Sequence, residues 1–99
     1  MSSKSERMQR ARDMVLVTSF GTALRQLRAA AGRTQEQLAF EAGVDRTFVG
    51  LLESGRRQPS LSVLFALATA LEMSPEHLVK LTRELCAANS EALKSGHDQ

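Results

Sequence analysis

The sequence predicts an all-α protein: five helices around a single core, with room for an extra helix at the N-terminus. Three observations carry this expectation. Apolar residues recur at intervals of three and four along most of the chain, and no stretch alternates with the period of two that a half-buried strand needs. Small polar residues stand just before the apolar runs, where helix N-caps belong, and glycines stand just after several of them. At 99 residues there is room for one domain, with a modest core of the kind that often gains stability by dimerising.

Residues 1–18 read as an N-terminal extension. Met8, Ala11 and Val15 lie at helical spacing, which leaves three readings: an early start to the first helix, a short separate helix, or a mobile basic arm. A partly helical extension packed on the domain or on a partner is favoured. The run Met14, Val15, Leu16, Val17 is too apolar to leave in water without reason. The first helix proper is expected over Ser19 to Ala31, ending at Gly32, with Leu24, Leu27 and Ala31 facing the core.

The second helix is framed by Thr34 as N-cap and Gln37 three residues on, a capping box. Leu38, Ala39 and Ala42 form its apolar stripe, and the small Ala39 permits a close helix crossing. Gly43 stands where a helix ends in the left-handed conformation, which costs glycine no steric strain. Val44 then packs back, and Asp45 is a second N-cap that starts the third helix at Arg46. In that helix Val49 and Leu52 share a face, with Phe48 at its edge. At 3.6 residues per turn, Arg46, Thr47, Gly50, Leu51 and Ser54 point the other way, and Gly55 closes the helix. The fourth helix follows Pro59, with Ser60 as N-cap and Leu61, Leu64, Leu67, Ala68 and Leu71 along it. The fifth opens on Ser74 as N-cap with Pro75 in the first helical position. Its stripe of Leu78, Leu81 and Leu85 continues through Ala88 and Ala92. Residues 94–99 read as frayed. The expected organisation is an extension over 1–18, the domain over 19–88 and a tail over 89–99.

The net charge is +2, and its distribution is uneven. Residues 1–18 carry Lys4, Arg7, Arg10 and Arg12 against Glu6 and Asp13, a balance of +2. Residues 19–59 hold six arginines against four acids, again +2, whereas residues 60–99 hold three basic residues against five acids, or −2. The first two segments can face phosphates while the last faces away.

The classes excluded are as informative. No apolar run is long enough to span a membrane, and the charged N-terminus does not read as a signal peptide, so a cytoplasmic location is the default expectation. Cys86 is the only cysteine and cannot form an internal disulfide; a small apolar role in the last helix suits it better than redox sensing. His77 and His97 make no metal spacing with it. No glycine-rich phosphate loop follows a strand, because no strand is expected. Glu36 and Glu41 read as solvated helix charges. Neither an enzyme nor a bound cofactor or metal is expected.

Two short helices joined by a tight turn, the second opening on an Arg-Thr pair, suit insertion of one helix into the major groove of DNA. Thr34 to Gly55, with Leu24-Arg25-Gln26-Leu27-Arg28 before and Pro59-Ser60-Leu61 after, resembles the phage-repressor and Cro-like helix-turn-helix family, also called XRE. The resemblance spans roughly residues 20 to 82. Asp45-Arg46-Thr47-Phe48-Val49 also resembles the small controller proteins of restriction–modification systems. What the resemblance implies is a repressor-like DNA-binding domain: a transcriptional regulator that occupies an operator.

Arg46 suits a bidentate contact to guanine, with a phosphate clamp as its alternative. Thr47 can offer a hydroxyl to a base or phosphate, or a methyl to thymine. Gln35 opens the second helix, at a position that meets the DNA backbone and braces the recognition helix in the resembling family. Gly50 and Leu51 depart from the polar or basic residues usual there; Gly50 admits either close approach of a base pair or simple tolerance of a weak helix. Phosphate contacts are expected from Arg33, Thr34, Ser54, Arg56 and Arg57, which set register without reading sequence. In the resembling family, residues placed like Arg28 and Glu53 pair in a salt bridge between the first and third helices. A homodimer on two half-sites about one DNA turn apart is expected, with Leu78, Leu81, Leu85 and Ala88 as its seam. The rival reading is an antitoxin or other protein-binding module that holds a partner through its termini.

Overall fold

Helices in this chain begin where a small polar side chain folds back onto an open amide. In the computed structural model, which describes residues 3–96 and side chains as far as Glu91, five helices form: α1 (Lys4–Ala30), α2 (Gln35–Ala42), α3 (Arg46–Glu53), α4 (Leu61–Ala70) and α5 (Pro75–Gly96). No strand occurs among the described residues. Thr34 makes both halves of the capping box: its Oγ1 accepts from the Gln37 amide at 3.0 Å, and its own amide donates to Gln37 Oε1 at 2.8 Å. Ser60 and Ser74 accept from the amides of Val63 and His77 at 3.2 and 3.3 Å. Asp45 has the extended backbone of an N-cap, but its side chain makes no capping bond, against expectation. The start of α3 is set instead by the turn before it. Gly43 adopts φ 72°, and the Val44 amide donates back to the Ala39 carbonyl at 2.9 Å.

Of the readings open for residues 1–18, the structure has the early start: α1 runs unbroken from Lys4 rather than from Ser19. Ser3 Oγ accepts from the Glu6 amide at 3.1 Å. The Ser-x-x-Glu pattern that signals such a start is present in the sequence at Ser3 and Glu6. Residue 19 marks the onset of burial and not the onset of helix: residues 4–14 are all exposed, whereas Ser19, Phe20, Gly21, Ala23 and Leu24 are buried. Ala31, expected in the core, is an exposed C-cap. At the other end α5 continues through residues 94–96, where fraying was expected. Residues 97–99, with His97, and the side chain of Ala92 lie outside the described residues.

The core is built from Leu24, Leu38, Val49, Leu52, Leu67 and Leu78, all fully buried. α1 packs against α5 and α3, α2 against α3 and α4, and α4 against α5. The α1–α3 crossing is unusually close. A Cβ added at Gly21 would lie 2.3 Å from the Leu52 carbonyl oxygen and 2.7 Å from that of Glu53. Glycine is required here for backbone approach, in mid-helix, where it otherwise costs about 1 kcal/mol against alanine. Gly21→Ala must push α3 away from α1, and overpacking of this kind costs about 1–3 kcal/mol. Net of the propensity gain, urea denaturation is expected to show a loss of up to about 2 kcal/mol. An unchanged midpoint would mean that the two helices do not cross as closely as described.

Candidate nucleic-acid interface

The short helix α3 presents two faces. Val49 and Leu52 anchor it in the core, while Arg46 and Thr47 in its first turn are exposed. Arg46 makes no ion pair with any described residue. Gly50 and Leu51 follow on the same side and are half-buried. Ser54 is exposed, and its hydroxyl donates to the Leu51 carbonyl at 3.1 Å. A Cβ at Gly50 would meet nothing closer than Gln35 Oε1 at 3.9 Å, so nothing in the fold itself calls for glycine at that position.

Glu53, the last residue of α3, is buried and holds three elements together. Its Oε2 accepts from Arg28 Nε at 2.6 Å, and its Oε1 from Arg28 Nη2 at 3.1 Å and from Gln35 Nε2 at 3.0 Å. Arg28 Nη1 donates to the Arg33 carbonyl at 2.8 Å. Arg28 on α1 therefore grips α3 by a two-pronged pair and the α1–α2 turn by a third bond, and Gln35 adds the start of α2. The two side chains are 17% and 4% exposed. The hydrogen bond to Glu53 raises the Arg28 pKa above its ordinary value, against the opposing effect of burial. Gln35 is thus turned inward as a brace, and the recognition helix is fixed before any ligand arrives.

The expected phosphate contacts divide. Arg56 and Arg57 are exposed in the loop after α3 and make no ion pair with a described residue. Their amides both donate to the Leu51 carbonyl, at 3.0 and 3.3 Å, which fixes the loop beside the recognition helix. Thr34 uses its hydroxyl and amide in the capping box, leaving the next amides at the start of α2 as open donors. Arg33 instead turns to its own chain, with Nε 2.9 Å from Glu41 Oε1 and Nη2 3.8 Å from Glu72 Oε2. Those carboxylates raise its pKa and take it out of the set of open cations.

The residues expected to form a dimer seam on α5 divide. Leu78 lies entirely within the core of its own chain, and Leu81 and Leu85 pack against that core. Ala88, one turn on from Leu85, is exposed. The 3–4 stripe is what α5 uses to pack inside the protomer. The apolar side chains left in water lie elsewhere: Leu61 at 73% exposure, Phe65 at 51% and Val79 at 49%. With Leu64 and Pro75 they line an open apolar cleft between α4 and α5. Leu61 was expected along the inward stripe of the fourth helix; it stands in that helix's first turn and faces out. Phe65 and Val79 carried no signal in the sequence, because a single apolar residue off the main stripe reads as noise. Among the described residues no group of His, Cys, Asp and Glu is placed to hold a metal ion, and no helix is long and apolar enough to cross a membrane.

A tight Gly43 turn between α2 and α3, a braced α3 and open side chains on its first turn define a helix-turn-helix protein. The chain belongs to the helix-turn-helix family, whose model matches residues 24–78. Its relatives are transcriptional regulators, and that is the class of this protein. It is 36% identical over 64 residues to the control protein C.BamHI of Bacillus amyloliquefaciens, a match covering 64% of this chain and 79% of that one. Among solved structures it is similar to the restriction–modification controller protein C.AhdI of Aeromonas hydrophila, at 48% identity and a TM-score of 0.62, covering 63% of this chain and 94% of that one. The clp gene regulator ClgR of Corynebacterium glutamicum superposes with a TM-score of 0.79 at 27% identity, covering 83% and 87%.

Proposed function

We propose that this protein is a sequence-specific DNA-binding regulator of the restriction–modification controller kind, working as a homodimer on a palindromic operator with α3 in the major groove. The observation that carries the reading is the contrast within α3. Its last residue is clamped by Arg28 and Gln35, while its first turn offers Arg46 and Thr47 to solvent. A rigid helix with an open arginine at its leading end is what bidentate reading of guanine requires. In this reading Arg46, Thr47, Gly50 and Leu51 face base edges. Arg56, Arg57, Ser54 and the open amides of α2 beside Thr34 hold phosphates, and Gln35 acts chiefly as a brace. In this reading the protein works in the cytoplasm, where its DNA partner would be met. The apolar face of Leu61, Phe65 and Val79 forms the homodimer in place of the α5 stripe.

Selection of binding sites from a random duplex library at about 0.15 M salt, where phosphate attraction is partly screened, tests this. Enrichment of an inverted repeat with half-sites roughly one turn apart supports it. Binding without enrichment that disappears as salt rises removes it and favours the rival protein-binding role, for which Met8, Met14 and Leu16 are the exposed candidates.

Gly50 gives a second check. Since the free fold has room for a Cβ there, Gly50→Ala is expected to raise stability by about 0.5–1 kcal/mol, the helix propensity difference. If DNA approaches the backbone at that point, operator affinity falls in the same variant. Thermal unfolding and a gel-shift titration read the two effects. Unchanged affinity would remove Gly50 from the interface.

A further inference from the structure

The bond that braces Gln35 leaves half of its amide unused. Nε2 donates to Glu53 Oε1 at 3.0 Å. The Glu53 carboxylate, which also takes two bonds from Arg28, can only accept. The amide therefore has one way round, with its nitrogen inward and its oxygen outward. No described residue donates to that oxygen, and no side-chain nitrogen or oxygen among the described residues is both buried and unpaired. Gln35 Oε1 is thus an open acceptor in contact with solvent.

Gly50 gives its position. A Cβ built at Gly50 would have Oε1 as its nearest neighbour, at 3.9 Å. Gly50 stands one turn on from Arg46 and Thr47, on the same side of α3. The oxygen therefore lies at the recognition face, beside the single glycine of that helix, where no side chain covers it. Glu53 and Arg28 hold the amide from behind, so little rotamer freedom is left to lose on binding.

What this atom can bind follows from its chemistry. Phosphate oxygens are acceptors and offer it nothing. In the major groove guanine and thymine likewise present only acceptors to it, whereas the N6 amine of adenine and the N4 amine of cytosine donate. We propose that Gln35 Oε1 accepts a hydrogen bond from an exocyclic base amine, of adenine or cytosine, reached through the gap that Gly50 leaves in α3. The proposal rests on the operator-binding role proposed above and adds to it a base contact made from α2. It gives one cause to two features of the site: a glutamine whose nitrogen is committed to Glu53, and a glycine that the free fold does not require.

Deleting single amines from the selected operator tests it, with purine in place of adenine and 2-pyrimidinone in place of cytosine. Each duplex is titrated by gel shift with wild type, Gln35→Met and Gly50→Ala. Gln35→Met keeps the length of the side chain without its amide; what the lost brace costs is common to every duplex and cancels between them, as does the weakened base pairing between proteins. Gly50→Ala leaves the brace in place and repeats the test without that cost. One amine in each half-site is expected to matter, its deletion lowering wild-type affinity about three- to tenfold more than that of either variant, the size of one hydrogen bond. The arms with purine and with 2-pyrimidinone show which base supplies it. An equal loss in wild type and Gln35→Met at every amine would overturn the proposal, since another side chain would then read the groove. So would a Gln35→Met that weakens operator and scrambled duplex alike with amine dependence intact, which would put the second N–H of Gln35 on a phosphate. A wild type that selects an operator yet ignores every amine removes the proposal and leaves the regulatory reading standing; a wild type that selects none removes both.

Discussion

Glu53→Leu is expected to destabilise the protein by about 3–5 kcal/mol, and the double variant Arg28→Met/Glu53→Leu to recover much of that loss. The physical reason is asymmetry. Removing one partner of a buried ion pair strands the other charge, whereas replacing both with apolar side chains of similar size is often close to neutral. Glu53 accepts two bonds from Arg28 and one from Gln35. Without it Arg28 keeps only its bond to the Arg33 carbonyl, and Gln35 is left facing an apolar wall. Because the Arg28 side chain is 17% exposed, some water reaches it, which sets the expectation toward the lower end of the range. Urea denaturation of the two single variants and the double variant measures the coupling; additive losses would mean the pair is not a unit. Acidity offers no escape from the clamp on the arginine side. The Arg28 pKa is raised, so its contribution is fully present below the ordinary arginine value and is lost only as pH rises through the raised one. Near neutrality Arg28 is charged throughout, and its clamp on the recognition helix does not loosen.

The same clamp shows what the sequence did and did not disclose. Caps, glycines and apolar spacing placed four of the five helices because these signals are local: Thr34 and Gln37 lie one turn apart, and Gly43 needs only its own φ. The Arg28–Glu53 pair spans 25 positions and came from family resemblance, since no local rule joins two charges on different helices. The bracing role of Gln35 came from the same resemblance, since nothing local says that its amide reaches Glu53. Gly21 carries no such signal, because its closeness to the Leu52 and Glu53 carbonyls depends on α3, a distant segment. The α5 stripe is ambiguous for a different reason. Leu78, Leu81 and Leu85 have the period of a helix–helix seam, but periodicity does not state which helix lies opposite. Packing inside the protomer and packing between protomers produce the same spacing, and burial assigns only Leu78 wholly to the protomer core. Burial also moved the meaning of residue 19. The pattern there recorded where α1 enters the core, while the true start at Lys4 was written in a serine and a glutamate.

Arg46→Ala is expected to weaken operator binding by about 2–6 kcal/mol, since a good bidentate contact discriminates by about 1–3 kcal/mol and a dimer presents two. That corresponds to roughly a thirty- to twenty-thousand-fold rise in Kd. Stability should stay within about 0.5 kcal/mol of wild type, as for other surface positions, because Arg46 is exposed and makes no ion pair with a described residue. Arg46→Lys should rescue little, since an ammonium is a point charge and cannot match both acceptors of guanine. Arg57→Ala should behave differently. A phosphate contact carries no sequence information, so its loss should weaken operator and random duplex alike and reduce the slope of log affinity against log salt by about one per contact. Titrating the variants against the selected operator and a scrambled duplex at several salt concentrations separates the two roles. If Arg46→Ala loses as much on the scrambled duplex as on the operator, Arg46 is a phosphate clamp, and base reading must be sought at Thr47 and Leu51. If the loss is confined to the operator, the open end of α3 reads sequence and the Glu53 clamp behind it is what holds the reader in place.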